Sequence, residues 1–593
     1  MIVDEHLSLP SPPRHLDEIP ASEGGLQRPG VANTMPVVCA GRRCLVRASA
    51  LHGVLVADAD GAPLLGRVRL EAATAANGLA TPRSLTRELV GAAGSSRETL
   101  LVPERLPGFV LQWQGWAPDE GWHLGVELFA DPRTRVRIDG PTLRIADEVG
   151  AGLVLYLASA STSEGDAAGQ VDAWQVVEGP GGAAQATARV HCTADAPATL
   201  LVHAISDGDR LPSLAALGAV VAHRVRDDLE PDEAAGLQLS SGIADLDRGV
   251  SWARATLRAL VEETSAGAAV RVLAPHVEGD ERARLAMGAL AAGEWEVAQA
   301  ALQSAALQSH ADLTARQALA LAAWVAWTAQ PQLLVQHADA IAQLAEVPMT
   351  FSASERQRLI EAAEAAAADD LLARLRALPA SEPGSAPAPA PAPRAPENTP
   401  PSQTTGRRLP TISSSAALPD ATSDWVALRT ALSALVQQGG LPEGFEAAEQ
   451  IEALVLRVLG VQPDAAYGRL RLAPQLPGHL TSFGFSGLRV GDATVGAEMS
   501  RQTGPSDDHE TTDAGVREIV EWQLRQTAGG APVTWIFEPT LPLRSVERVF
   551  VDGQPAELDV SPAPGGVRVK VQVPAERERV VRVEGTALAI SPA

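Results

Sequence analysis

The spacing of apolar residues changes twice along this chain of 593 residues. Residues 31–235 consist mostly of short runs in which apolar and polar residues alternate, separated by Gly, Pro and Asp, which is typical of half-buried strands. From Gly242 apolar residues recur every three or four positions, as on one face of a helix, and from Gly468 the alternating runs return. The sequence therefore predicts a helical region between two β-rich regions.

A multidomain α+β fold follows from this pattern. Because a single hydrophobic core stops growing at roughly 250 to 300 residues, a chain of this length needs several. We expect an N-terminal antiparallel β-sandwich, a domain of helical hairpins and a C-terminal β-domain. The predicted segments are a flexible N-terminal tail at 1–30, the sandwich at 31–238, the hairpin domain in two parts at 239–378 and 423–467, a Pro/Ala-rich linker at 379–422 and the C-terminal β-domain at 468–593.

Helix signals subdivide the middle region. The first helix is expected to begin after Ser240 and Ser241, which are N-cap residue types, and Ser352 and Glu355 have the spacing of a capping box. Short connections between helices predict antiparallel hairpins. The further expected helices lie at about 281–292, 294–308, 312–329, 331–346, 353–378, within 423–460, and at about 513–526.

Charge and local composition limit the expected partners. With 48 basic and 72 acidic residues the formal net charge is −24, which repels phosphate backbones and anionic lipids, so neither a nucleic acid nor a membrane is expected to bind. The Pro-rich start lacks the features of a secretory signal, which favours a cytoplasmic protein. Cys39 and Cys44 could face each other across a hairpin, but we expect reduced cysteines in strands.

Four sequence stretches resemble the six-hairpin glycosidases, in particular the glycogen-debranching and glucoamylase-like glycoside hydrolases. Arg97–Trp113 is similar to that family's β-sandwich, and Gly288–Leu302 to the hairpin beside its active site. Residues 439–477 are similar to its last hairpin and exit, and Leu488–Val495 to the strand that follows. The resemblance implies that the helical hairpins form an α/α toroid.

The resemblance also implies where a sugar would bind. In the family, the loop before this hairpin carries an Arg followed by an Asp that grip the terminal sugar. In this sequence Asp280 stands at the Asp position, but Gly279 replaces the Arg. The candidate substrate-binding residues are therefore Asp280, Glu281 and Trp295, and the sugar-gripping pair is incomplete.

Hydrolysis of a glycosidic bond requires two carboxyl groups on opposite sides of the scissile bond, one of them protonated. The candidate catalytic carboxylates are Asp280, Asp312 and Glu443. Each also has a structural interpretation, because acidic residues at the start of a helix cap its N–H groups or interact with its dipole. No cofactor and no metal site are expected.

The helical segments 242–378 and 424–460 together are shorter than the roughly 200 residues that six hairpins need. We therefore expect an incomplete α/α toroid and a degenerate glycoside hydrolase-like protein, with a carbohydrate-binding or scaffold role in glucan metabolism. Its expected partners are an oligosaccharide or glucan and another protein. One alternative is an active glycosidase acting on α-glucans by general acid and base catalysis. A second is an assembly protein without sugar affinity.

Overall fold

The computed structural model describes residues 26–588 with gaps, the longest of which are 29–36, 160–173, 206–235, 271–278, 304–312, 379–420, 439–445 and 505–515. Most of the predicted N-terminal tail and linker therefore lies outside the described residues. The chain divides into two compact units. The first comprises Met1–Val277, Ala292–Ala301 and Leu432–Ile451, and the second Glu278–Ala291, Leu302–Ala431 and Glu452–Ala593.

The first unit contains the predicted β-sandwich. Its described strands are β1 Leu26–Arg28, β2 Val37–Ala40, β3 Cys44–Ala48, β4 Val54–Ala59, β5 Ala62–Leu65, β6 Val68–Leu70, β7 Thr74–Ala80, β8 Ser84–Gly91, β9 Gly94–Leu101, β10 Gly108–Gly115, β11 Trp122–Leu128, β12 Arg135–Asp139, β13 Thr142–Ala146, β14 Gly152–Ser159, β15 Gln175–Glu178, β16 Ala184–Val190, β17 Ala198–Ile205, β18 Gln238–Ser240, β19 Val261–Thr264 and β20 Gly267–Val270. One antiparallel sheet has the order β1-β7-β8-β9-β10-β17-β14-β13-β12, and a second has the order β15-β16-β11-β6-β4-β3-β2, with β5 on β4.

The core of the sandwich follows from alternation along its strands. Phe109 and Trp113 of β10 join Val126 of the opposite sheet in one buried cluster. Val110, which points to the other side of β10, belongs to a second buried cluster. Because β10 is covered on both faces, its residues read as a nearly continuous apolar run.

A charged pair lies inside this core. Arg87 of β8 and Glu98 of β9 stand directly opposite each other, and each side chain is 1% exposed. Arg87 Nε donates to Glu98 Oε1 at 2.6 Å, and the indole N–H of Trp113 donates to Glu98 Oε2 at 2.8 Å. Since an unpaired buried charge costs several kcal/mol, this contact favours one register of the three strands.

The cysteines are buried and form no disulfide. Cys39 on β2 lies opposite Val46, so the hairpin does not place it opposite Cys44. Burial raises the pKa of the Cys39 thiol to about 12, against a smaller opposing effect of the nearby Arg87 charge. Cys39 and Cys44 both lie in strands, as expected.

Helices fill the middle of the sequence, as predicted. In chain order those described are α1 Ala244–Ala259, α2 Gly279–Ala292, α3 Trp295–Gln303, α4 Ala315–Thr328, α5 Gln332–Gln336, α6 Ala338–Glu346, α7 Ala353–Ala365, α8 Asp369–Ala377, α9 Ala421–Gln438 and α10 Glu446–Glu452, which continues as a π-helical turn over Ala453–Val458. The capping box of Ser352 and Glu355 is confirmed at the start of α7. In the second unit α4 packs against α7, and α7 against α8.

Two of the predicted helices are each divided in the structure. The helix expected at 331–346 is interrupted at His337, and the helix expected at 353–378 breaks at Ala366–Ala368, where Ala367 has a positive φ of 50°. This second break lies in an alanine-rich run without Gly or Pro. α8 packs against both α6 and α7. The turn that precedes α8 therefore occurs together with this packing, and no residue of the sequence signals it.

The C-terminal part of the second unit is the predicted β-domain. Its described strands are β21 Gln462–Asp464, β22 Arg469–Leu472, β23 Ser482–Val490, β24 Ala493–Gly504, β25 Arg517–Ala528, β26 Thr534–Phe537, β27 Thr540–Leu541, β28 Leu543–Val551, β29 Gln554–Pro555, β30 Asp559–Ala563, β31 Gly566–Val573 and β32 Glu578–Ala587. One sheet runs β23-β24-β25-β32-β28-β29, and the other runs β21-β22-β26-β31-β27, with β30 on β31. Trp522 of the first sheet packs edge-on against Phe537 of the second, with 5.3 Å between ring centroids.

The helix expected at about 513–526 is wrong, because the described part of this segment is strand β25. Its burial alternates strictly, with Val520, Trp522 and Leu524 facing inward. Residues of β25 that favour helices locally form ion pairs with a neighbouring strand. One example is the contact between Arg517 and Glu584 at 2.7 Å. Tertiary pairing has overridden local helix propensity here.

Among the described residues, none of the helices combines the length and the apolar character needed to cross a lipid bilayer.

Glu584 on β32 should make the stability of the C-terminal domain depend on pH. Burial alone raises the pKa of Glu584, but the hydrogen bond from Arg517 and the charges of Arg582 and Arg548 outweigh burial, so the pKa lies below its ordinary value of 4.5. A lowered folded-state pKa stabilises the fold above the unfolded-state pKa, and this contribution disappears as the pH falls through the folded-state value.

We expect Glu584→Gln to lower the free energy of unfolding by about 1–3 kcal/mol at pH 7, as measured by urea denaturation. The difference from the wild-type protein should shrink when the pH is lowered below the usual carboxyl pKa. The exposed Glu557 provides the control substitution Glu557→Gln, which should have little effect. A difference that stays constant down to pH 3 would contradict this account.

Candidate functional site

Asp280 lies in the first turn of α2 and is half-buried. Its Oδ1 accepts a hydrogen bond from the hydroxyl of Thr314 at 2.6 Å. Thr314 is the N-cap residue of α4. The carboxylate predicted to grip a sugar therefore connects the starts of two helices.

Thr314 belongs to a closed hydrogen-bond network. Its Oγ1 accepts from the backbone N–H of Gln317 at 3.2 Å, and the side-chain oxygen of Gln317 accepts from the backbone N–H of Thr314 at 2.8 Å. This is a capping box, which pairs two backbone donors that a helix start otherwise leaves without partners. Asp280 extends it, because the Thr314 hydroxyl donates to Asp280 while it accepts from Gln317.

Gly279 lies against the same network. A β-carbon added to Gly279 would lie 2.5 Å from Nε2 of Gln317, whose side chain is only 2% exposed. Any side chain at this position would displace the Gln317 amide. An Arg at this position, as in the resembled family, would therefore require the Gln317 amide to move.

Glu281 and Trp295, the other two candidate sugar-binding residues, are half-buried. Glu281 lies in the second unit beside Asp280, in the first turn of α2. Trp295 belongs to the first unit and opens α3.

Trp295 follows a carboxylate that is held by two arginines. Arg254 and Arg258, one turn apart on α1, donate through Nε to the two carboxylate oxygens of Glu294, at 3.2 and 2.8 Å. Gly236, with φ of 101°, leaves the space for the Arg254 guanidinium, because a β-carbon there would lie 2.3 Å from Nη2. The start of α3 is therefore anchored to α1, and Trp295 is held by this packing.

Asp312 and Glu443, the remaining candidate catalytic residues, lie outside the described residues. The structure therefore neither brings them together nor separates them. Their assignment as general acid and base stays a prediction.

Most tryptophans that could serve as sugar-stacking platforms are core residues. Trp324 and Trp327 are 3% and 2% exposed. Trp425 is equally buried and packs on Phe483, with 6.1 Å between ring centroids. Core packing therefore accounts for these three residues.

A shallow cleft in the C-terminal β-domain was not predicted from the sequence. Its lining is mainly apolar and consists of Pro474, Leu476, Pro477, Met499, Arg501, Val520, Trp522, Thr540, Leu541 and Pro542. Arg501 is already bound to Glu518 and to the carbonyl oxygens of Gly478 and Leu480. Asp280, Glu281 and Trp295, the candidate site residues that the structure describes, do not line this cleft. In the part of the chain that the structure describes, no three His, Cys, Asp or Glu side chains are grouped as metal ligands.

Sequence reasoning missed Thr314 and Gln317 as determinants of this site. Thr314 and Gln317 carry the capping-box spacing immediately before an apolar helix, which was available as a signal. The pairing of Thr314 with Asp280, 34 positions earlier, has no signal in the sequence.

Comparisons with known proteins give structural matches only. No protein-family model and no curated protein matches the sequence. The chain is similar to the solved structure of a putative kojibiose phosphorylase from human microbiome, with a TM-score of 0.49 and 8% identity over 93% of this chain and 98% of that chain. It is also similar to a family GH92 alpha-mannosidase from Bacteroides thetaiotaomicron, with a TM-score of 0.36 and 9% identity over 93% of this chain and 91% of that chain.

Both matched proteins bear the names of carbohydrate-active enzymes. At these TM-scores and identities the matches assign no residue a role.

The tight packing of Gly279 on Gln317 predicts a coupled pair of substitutions. Gly279→Ala should lower the free energy of unfolding by about 1 kcal/mol, because the added methyl group displaces the Gln317 amide from the Thr314 N–H. In a Gln317→Ala background the same change should be neutral or slightly stabilising, since alanine favours helices more than glycine does. Urea denaturation of the four proteins measures the coupling. Equal losses in both backgrounds would show that the contact does not restrict residue 279.

Proposed function

We propose that this chain is a degenerate glycoside hydrolase-like protein that binds carbohydrate, or serves as a scaffold, in cytoplasmic glucan metabolism without cutting its ligand. An incomplete α/α toroid, with a linker in place of missing hairpins, is part of this proposal. Binding of a second protein is part of it as well.

The hydrogen bond between Asp280 and Thr314 is the main support for this proposal. A glycosidase needs carboxyl groups that face each other across the scissile bond and that are held for proton transfer or nucleophilic attack. Asp280 instead accepts the Thr314 hydroxyl at 2.6 Å, within a network that caps α4. Moving this carboxylate toward a substrate would break that bond at the start of the helix.

Gly279 also supports the proposal of a degenerate protein, because it replaces the Arg of the sugar-gripping pair. An Arg beside an Asp can hold vicinal sugar hydroxyls through several donors. At position 279 the Gln317 amide occupies the space into which such a side chain would extend. Recovery of the sugar-gripping pair would therefore require rebuilding of the α4 cap as well as a substitution at 279.

A calorimetric titration of the full chain with maltoheptaose tests this function. The same samples are then assayed for reducing sugar and for sugar phosphate, in buffers with and without inorganic phosphate, so that hydrolysis and phosphorolysis are both detected. We expect saturable binding heat and no product. Asp280→Asn should bind as the wild-type protein does, because the Asn side-chain oxygen still accepts the Thr314 hydroxyl.

Two outcomes would overturn the proposal. Product formation that is lost in Asp280→Asn and Glu443→Gln would establish an active glycosidase. No binding to maltoheptaose or to other neutral glucans, together with a protein that co-purifies stably with the chain, would instead favour an assembly protein without sugar affinity.

A further inference from the structure

Tyr467 is an exposed aromatic residue, whereas most of the other aromatic side chains that the structure describes are buried. It lies in a 3-10 turn, Ala465–Tyr467, between β21 and β22, and is 57% exposed. Among the described residues no other Trp, Tyr or Phe side chain is exposed to this degree. Only two tyrosines occur in the whole sequence. A tyrosine combines a broad apolar ring with a polar hydroxyl, so the exposed Tyr467 is a candidate contact residue for a ligand that offers both kinds of surface.

The ring of Tyr467 is held in place from one side. The guanidinium carbon of Arg469 lies 4.9 Å from the ring centroid, within the range of a cation–π contact. Asp464 fixes Arg469 in turn, because Arg469 Nε and Nη2 lie 3.1 and 2.8 Å from Asp464 Oδ2. Arg469 covers one side of the ring. The part of the ring that stays exposed is therefore held in one orientation before a ligand binds.

The turn itself is supported by its neighbours in the second unit. It packs against α4. Gly468, with φ of 60°, reverses the chain into β22, and a β-carbon there would meet no other atom. A ring on a fixed turn loses little conformational entropy when it binds.

Polar side chains continue from Tyr467 across the solvent-facing side of the sheet. Leu470 and Leu472 point inward, so Arg469 and Arg471 share the outer side of β22. Arg471 donates to Gln462 Oε1 at 3.1 Å and to Glu538 Oε2 at 3.1 Å. Lys570 of β31 lies 3.9 Å from Glu538. The sheet face beside the ring thus presents both hydrogen-bond donors and acceptors.

The charges on this face favour a neutral ligand. Asp464 is matched by Arg469, and Glu538 by Arg471 and Lys570. These three cations and two carboxylates leave a net charge of only +1, so the face offers hydrogen bonds without a strong field of either sign. A sugar ring suits it, since its C–H face packs on an aromatic ring while its hydroxyls both donate and accept.

We infer that Tyr467, Arg469, Asp464 and the adjoining row of Gln462 and Arg471 form a binding site for a neutral oligosaccharide on the C-terminal β-domain. This inference rests on the proposed carbohydrate-binding function and places that function on one surface. The site is separate in sequence from Asp280 and requires none of the candidate catalytic residues.

Calorimetric titration of full-length variants with maltoheptaose tests the site. Tyr467→Ala should weaken binding about 10-fold or more, and Tyr467→Phe should bind as the wild-type protein does, because the ring is retained. Arg469→Ala should weaken binding to a smaller extent, since it removes the support of the ring. Val335→Ala, a truncation of another exposed apolar residue of the second unit, is the matched control and should bind normally.

The outcomes separate this inference from the proposed function. If the wild-type protein binds and Tyr467→Ala binds equally well, the site is wrong while the proposed function stands. If the wild-type protein binds no glucan, the proposed function fails and the inference with it. Tighter binding of tetragalacturonate than of maltoheptaose would overturn the assignment to a neutral ligand. Thermal unfolding should be unchanged in Tyr467→Ala, which confirms that a loss of binding reflects the lost ring.

Discussion

The hydrogen bond between Thr314 and Asp280 is the contact on which the interpretation of the candidate site depends. It gives the motif carboxylate a structural partner at 2.6 Å and links the starts of α2 and α4. Gln317 completes the cap, and its amide would have to move to admit a side chain at Gly279. One small network therefore occupies both positions that the resembled glycosidases use to hold a sugar.

Carboxylates elsewhere in the chain are used in a similar way. Glu98 joins Arg87 and Trp113 across three strands, Glu294 joins two arginines of α1, and Glu584 pairs with Arg517. In each case a charge is removed from water and satisfied by donors from neighbouring elements, which favours one register or one packing arrangement. An acidic composition is thus compatible with carboxylates that link neighbouring strands or helices. Tyr467 differs, because its ring remains 57% exposed on a supported turn.

Local patterns predicted much of the architecture. The short apolar run around Phe109 predicted a sandwich strand, and the Ser352 and Glu355 spacing predicted the start of α7, because such signals act over a few residues. The segment 513–526 was misassigned because its Glu, Gln and Arg residues favour helices locally, whereas the alternating Val520, Trp522 and Leu524 are buried between sheets. The break at Ala367 likewise arises in packing, without Gly or Pro to mark it.

The sequence by itself determined the succession of β-rich, helical and β-rich regions, and it identified Asp280 and Gly279 as positions where the resembled motif survives and fails. Hydrophobic periodicity and single substitutions are local properties, so they can be read along the chain. Only the tertiary structure decided that Thr314 binds Asp280, that Gln317 fills the space beside Gly279, and that Arg469 and Asp464 orient the ring of Tyr467. The contacts at Asp280 and Gly279 join residues 34 and 38 positions apart, and no local pattern specifies which distant side chain will meet a given carboxylate.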